Sequence, residues 1–182
     1  MANEKPSIGP IVVLGDSLAA GYGARDANHR PARYLQRKFG RAVQDISVSG
    51  SVTSQTLMAS RALPAQPSLI LVSTGGNDVI RDFFHAGSYP PEKSLLEMDQ
   101  LFDRLVATGA VVVYLGLNPP VPNMDRLRKA GELARSKGII VVDGVRGLWD
   151  DGSTMSDFIH PNDKGYAIIL ERISEALKNI EF

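Results

Sequence analysis

The sequence predicts an α/β fold in which a parallel sheet carries helices on both faces, and two observations predict it. The apolar runs IVVL, LILV, VVVYL and IIVV are continuous rather than alternating with polar residues, as strands covered on both sides require. Strand-like and helix-like stretches alternate five times along the chain, the order of a sheet built by crossover connections.

The elements follow in order. Ile11–Gly15 is the first strand, and Pro31–Phe39 the helix that begins after a polar loop. Val43–Val48 is the second strand, followed by a helix over Thr53–Leu63. Leu69–Thr74 is the third strand, and residues 79–90 read as a long loop. Pro91–Thr108 then carries Leu95, Met98, Leu101, Phe102 and Leu105 at helical spacing, with Gly109 suited to its end. The fourth strand is Val111–Leu115. A second long loop, 116–124, holds Asn118-Pro119-Pro120-Val121-Pro122, which is stiff and cannot be a strand. A helix over Met124–Lys137 ends at Gly138, and Ile139–Val142 is the fifth strand. The last helix, Asn162–Lys178, has Tyr166, Ile169, Leu170, Ile173 and Leu177 as its apolar stripe.

The 182 residues suit one domain over positions 1–182. With 43% apolar and 22% charged residues, the chain has the composition of a soluble globular protein. Lys+Arg and Asp+Glu are 20 each, so net charge gives no reason to expect a nucleic-acid partner. The absence of cysteine excludes disulfides, thiolate catalysis and Cys-ligated zinc. No apolar run approaches the roughly 20 residues of a membrane span. Residues 1–10 lack the apolar centre of a signal peptide. Taken as it stands the chain is expected in the cytoplasm, or in the periplasm or outside the cell if a leader preceded it.

In open α/β sheets, sites form beyond the carboxyl ends of the strands. Residues 15–17, 49–54, 74–78 and 143–160 follow strands one, two, three and five, so they are expected to meet on one rim. Ser17 stands at a strand-to-helix turn and reads either as an N-cap or as a nucleophile. His160 follows Asp157 by three residues, close enough for the carboxylate to fix the ring tautomer and leave the other nitrogen as a base; a structural histidine is the alternative. Thr74-Gly75-Gly76-Asn77-Asp78 and Ser49-Gly50-Ser51 are plain turns or, alternatively, glycine-bearing loops that donate N–H groups to a ligand. Residues 15–19 read Gly-Asp-Ser-Leu-Ala, which is not the Gly-x-Ser-x-Gly elbow of α/β-hydrolases. Val79–Tyr89, with Phe83 and Phe84, lines an acyl pocket or is an ordinary helix turn packed on the core. Gly21-Tyr22-Gly23-Ala24-Arg25-Asp26 lacks the third glycine of a dinucleotide fingerprint and reads as a loop. Arg30, Arg33, Arg37 and Arg41 read as a solvated face, and His29 and His85 have no ligand-like spacing.

Four segments stand in family order: Gly15-Asp16-Ser17-Leu18, Ser49-Gly50, Gly75-Gly76-Asn77-Asp78, and Asp157-Phe158-Ile159-His160-Pro161-Asn162. On these the chain resembles the GDSL (SGNH) hydrolases over nearly its whole length. In size and block spacing it is most similar to the compact bacterial branch of arylesterases and thioesterase/lysophospholipase enzymes. One departure stands out: Asp45-Ile46-Ser47-Val48-Ser49-Gly50 lacks the Asn often found shortly before the block-two glycine. The resemblance implies a three-layer α/β/α, flavodoxin-like fold with a five-stranded parallel sheet, and neither metal nor cofactor. It implies a triad of Ser17, His160 and Asp157, and an oxyanion hole formed by the N–H groups of Ser17 and Gly50 with the Asn77 amide. Asp16, Val79, Phe83 and Pro119 are expected at the substrate. The activity implied is hydrolysis of short- to medium-chain acyl esters, with a small-molecule acyl ester as the partner. Acyl transfer or deacetylation on a carbohydrate, thioester or lysophospholipid hydrolysis, and ligand binding without turnover are the alternatives.

Overall fold

Residues 9–117 and 125–182 are described by the computed structural model. The continuous apolar runs become strands because each has both faces covered. β1 (Ile11–Gly15) and β3 (Leu69–Ser73) are buried at every position. Alternate side chains enter opposite layers. Ile11, Val13, Leu69 and Leu71 join one core cluster with Leu35, Tyr166 and Ile169, while Val12, Leu14, Ile70 and Val72 join a second with Met98, Leu101 and Phe102. Fully burying a side chain of this size contributes ~1.5–3 kcal/mol.

β2 (Val43–Asp45), β4 (Val111–Leu115) and β5 (Ile140–Val142) complete a parallel sheet in the order β2-β1-β3-β4-β5. The helices on one side are α1 (Ser17–Ala20), α2 (Pro31–Phe39) and α7 (Asp163–Leu177), whose Leu18, Leu35 and Ile173 belong to the first cluster. On the other side lie α3 (Thr53–Ala59), α5 (Pro91–Val106) and α6 (Asp125–Ser136). This is the expected three-layer α/β architecture. Its strand order reverses between β1 and β3, which opens a crevice at their carboxyl ends.

The differences from the expected elements have local causes. β2 ends at Asp45 rather than Val48 because the Asp45 carboxylate accepts from Ser47 N–H at 3.0 Å and turns the edge strand. Ile46 and Val48 still donate to the Val13 and Gly15 carbonyls of β1, so the chain stays against the sheet. Residues 79–84, read as loop, continue a helix, α4 (Gly76–Phe84). The helix after β2 closes in a 3₁₀ turn over Ser60–Ala62, where Ser60 Oγ donates to Leu57 O. The proline-rich stretch 118–122 and Met124 lie outside the described residues.

At the crevice the ends of β1 and β3 touch. Asp16 N–H donates to Ser73 O at 3.1 Å, and a Cβ on Gly15, whose φ is +130°, would lie 1.9 Å from that oxygen. Both the conformation and the contact demand glycine. Gly15→Ala is expected to cost about 3 kcal/mol or more, read as a lower urea midpoint. An unchanged midpoint would mean that the two strand ends separate freely.

Candidate active site

Ser17 is the first residue of α1, but it does not cap the helix. Asp16 does, accepting from Leu18 N–H at 3.1 Å. The Ser17 hydroxyl is thereby left for another partner, and it lies 3.0 Å from His160 Nε2. His160 Nδ1 lies 2.8 Å from Asp157 Oδ2. The second carboxylate oxygen, Oδ1, accepts from the backbone N–H groups of Ile159 and His160 at 2.7 and 2.6 Å. One carboxylate thus holds both the ring and the backbone of its own loop.

The loop is closed locally. Met155 and Pro161 form an isolated antiparallel bridge, and Ser156 N–H and Oγ both donate to His160 O. Asn162 then caps α7 by accepting from Lys164 and Gly165 N–H. Burial raises the Asp157 carboxyl, but the hydrogen bonds from the His160 ring and from the N–H groups of His160 and Ile159 outweigh it. The net result is a carboxyl held below its ordinary range. A serine, a neutral ring nitrogen within hydrogen-bond reach and a carboxylate on the far nitrogen can together generate an alkoxide nucleophile.

Tyr22, from the loop after α1, packs its ring edge-on against the His160 ring with centroids 4.5 Å apart. The Tyr166 hydroxyl of α7 donates to Tyr22 O at 2.9 Å. These two residues hold the serine loop and the histidine loop together, and they follow from no short motif. Tyr22 belongs to the glycine-rich loop that resembled a dinucleotide fingerprint.

The Asn77 amide, on the first turn of α4, donates to Ser51 O at 2.8 Å, leaving its second Nδ2 hydrogen for a ligand. Gly50 has φ +85° in a turn closed by Ser51 N–H to Val48 O, with open space where a Cβ would stand. Among the described residues neither Gly50 N–H nor Ser17 N–H donates to a protein acceptor. Gly50 is exposed.

A cavity of about 370 Å³ opens beside Ser17. It is lined by Asp16, Leu18, Gly76 and Asn77 and by Val79, Ile80, Phe83 and Phe84 of α4. Leu117, Leu127 and Trp149 also line it, with Phe158 and Ile159 from the histidine loop. Phe83, Phe84 and Phe158 are 79%, 72% and 98% exposed, so they frame the mouth instead of filling the core. Of the residues expected at the substrate, Val79 and Phe83 line this cavity. Asp16 also lines it, but its carboxylate is buried and accepts from Ser73 Oγ and Leu18 N–H; burial, partly offset by those bonds, raises its carboxyl above the ordinary range. Pro119 lies outside the described residues. Leu117, Leu127 and Trp149 come from three further segments and carry no motif. Ile80 could have been found from its helical spacing to Asn77 and Phe84, had α4 been read as a helix.

Among the described residues no group of three or more His, Asp or Glu side chains could hold a metal ion, and no helix is long and apolar enough to cross a membrane.

Residues 13–168 match the model of the GDSL-like lipase/acylhydrolase family. Thioesterase 1/protease 1/lysophospholipase L1 of Escherichia coli K12 is 29% identical over 113 residues, which are 60% of this chain and 51% of that protein. The arylesterase of Vibrio mimicus is 30% identical over 119 residues, 62% of this chain and 56% of that enzyme. These matches therefore span about half the length of the curated relatives. The crystal structure of TesA superposes with a TM-score of 0.80 at 25% identity, covering 93% of this chain and 98% of that one.

Proposed function

The chain belongs to the GDSL-like lipase/acylhydrolase family, and on that footing we propose that it is a serine ester hydrolase acting on short- to medium-chain acyl esters. The observation that carries the reading is the relay of Ser17 Oγ, His160 and Asp157, with links of 3.0 and 2.8 Å, beside an apolar cavity of about 370 Å³. Its volume is near the lower end of the range for ligand sites.

In this reading Ser17 Oγ attacks the ester carbonyl while His160 Nε2 takes the hydroxyl proton. Asp157 keeps the other ring proton on Nδ1 and stabilises the imidazolium. The Ser17 and Gly50 N–H groups and the Asn77 amide hold the oxyanion. Collapse of the tetrahedral intermediate breaks the bond to the alcohol, which leaves with the proton from His160. Water, deprotonated by His160, then attacks the acyl-enzyme, and collapse of the second tetrahedral intermediate breaks the bond to Ser17 Oγ, which regains the proton from His160 as the acid is released.

The test is turnover of p-nitrophenyl esters from acetyl to palmitoyl. The expected optimum lies at short- to medium-chain esters, and no turnover of any ester by the folded protein would overturn the reading. A second reading, hydrolysis of longer thioesters or lysophospholipids, draws on the exposed Phe83, Phe84 and Phe158 at the mouth and on the name of the E. coli relative. An optimum at palmitoyl, with faster cleavage of palmitoyl thioester or lysophospholipid, would favour it.

Asn77→Ala is expected to lower kcat by about 10²–10³ with KM little changed, since its donor acts on charge present only in the transition state. Steady-state kinetics on a folded variant checks this, and an unchanged kcat removes Asn77 from the oxyanion hole.

A further inference from the structure

We propose that Asp78 is a positioning residue for the oxyanion hole, holding the turn that carries Gly50 in place against the helix that carries Asn77. The inference rests on the reading that those two residues stabilise the oxyanion.

Asp78 follows Asn77 in the first turn of α4 and is completely buried. A carboxylate in such a place must have its oxygens satisfied. Oδ2 accepts from both the backbone N–H and the hydroxyl of Thr53, each at 3.0 Å, and Oδ1 accepts from Ser94 Oγ of α5 at 3.0 Å. Thr53 is the first residue of α3 and lies three residues beyond Gly50.

A helix start needs acceptors for its unpaired N–H groups. Val52, at the N-cap of α3, has no side-chain oxygen to offer. An N-cap side chain would in any case reach the N–H groups of Ser54 and Gln55, not that of Thr53. The chain instead supplies the acceptor from α4, across 25 positions of sequence, and buries a charge to do so. That choice ties two segments that a local cap would leave independent.

Two neighbours of Asp78 grip the same stretch. Asn77 donates to Ser51 O at 2.8 Å, and Arg81 Nη2 donates to Gly50 O at 3.2 Å. Arg81 is exposed, so water competes for its bond, whereas the bonds of Asp78 are sheltered. The anchor extends into the sheet: Thr53 Oγ1 lies 3.2 Å from Thr74 Oγ1, and the Tyr114 hydroxyl donates to Thr74 O at 3.1 Å. The position of the Gly50 turn relative to Asn77 is therefore set from the core through Asp78.

The test is a double-mutant cycle of Asp78→Asn with Asn77→Ala, reading kcat and KM on a p-nitrophenyl ester, with Ser17→Ala alongside. The asparagine keeps size but turns an NH₂ toward Thr53 or Ser94. Expected is a kcat loss of roughly 30- to 100-fold with KM within about 2-fold. In the Asn77→Ala background the same change is expected to cost less than about 3-fold, because the hole it would misalign is already broken. Equal losses in both backgrounds, or none in either, overturn the proposal. If Asp78→Asn does not fold, Thr53→Ala keeps the backbone bond and removes only the hydroxyl. It is then expected to cost roughly 3- to 10-fold with the same non-additivity, and additivity overturns the proposal. Turnover that survives Ser17→Ala would refute the hydrolase reading itself and the proposal with it. A dead Ser17→Ala beside an additive Asp78→Asn refutes the proposal alone.

Discussion

Ser17→Ala is expected to cut ester turnover at least roughly 10⁴-fold while leaving the protein folded. The size of the loss follows from chemistry: no other hydroxyl is within reach of His160 Nε2 among the described residues, so no group replaces the nucleophile. The innocence of the change toward folding follows from structure. Serine at a strand-to-helix turn is usually a cap, and a lost cap costs ~1 kcal/mol. Here Asp16 caps α1, and among the described residues the Ser17 hydroxyl hydrogen-bonds only to the histidine, so alanine at the first helical position leaves no backbone group unsatisfied. The variant should keep the wild-type urea midpoint within ~0.5 kcal/mol. Substantial turnover in the folded variant would reject Ser17 as nucleophile, and a large fall in midpoint would show a structural role instead.

Asp157→Asn should lower kcat by roughly 10³- to 10⁴-fold. The asparagine oxygen can serve either the two backbone N–H groups of Ile159 and His160 or the ring Nδ1–H, but its NH₂ must face whichever is left. Facing the ring, it drives the proton to Nε2, where the histidine can no longer accept from Ser17. Facing the backbone, it releases the loop that places the ring. A variant keeping more than about a tenth of wild-type turnover would show that something else orients His160.

The pH dependence has a definite sign. Hydrogen bonds from the His160 ring and from the backbone N–H groups of His160 and Ile159 hold the Asp157 carboxyl below its ordinary range in spite of burial. A depressed carboxyl contributes stability that is present above the unfolded value of about 3.9 and is lost as pH falls through the lower folded value. Asp157→Asn removes that contribution. Its stability should therefore fall less steeply than that of the wild type as pH is lowered below about 4, measured by denaturation at a series of pH values.

Strands β1, β3 and β4 were legible because burial on both faces leaves an unbroken apolar run, and α5 and α7 because one buried stripe repeats at helical spacing. The end of β2 was not legible, since it depends on one carboxylate capturing Ser47 N–H. Helix α4 was legible only as an alternative, a helix turn within the loop over 79–90, for a different reason. Its Phe83 and Phe84 face the mouth of a cavity, so no core stripe marks it, and the Gly75-Gly76-Asn77-Asp78 that opens it reads as a turn.

The same division runs through the site. Periodicity, turn chemistry and short motifs act over a few residues, so the chain alone specified its α/β class, the nucleophile candidate and the Asp157–His160 pair three positions apart. Contacts across long spans depend on strand order and helix packing, which no local pattern encodes. Only the tertiary structure could set Ser17 and His160, 143 positions apart, within a hydrogen bond. It alone assembled an apolar cavity from Leu117, Leu127, Trp149 and α4. It also made Asp78, which reads as part of a turn, the buried anchor of Thr53, because a charge leaves water only where folding has already brought its partners together.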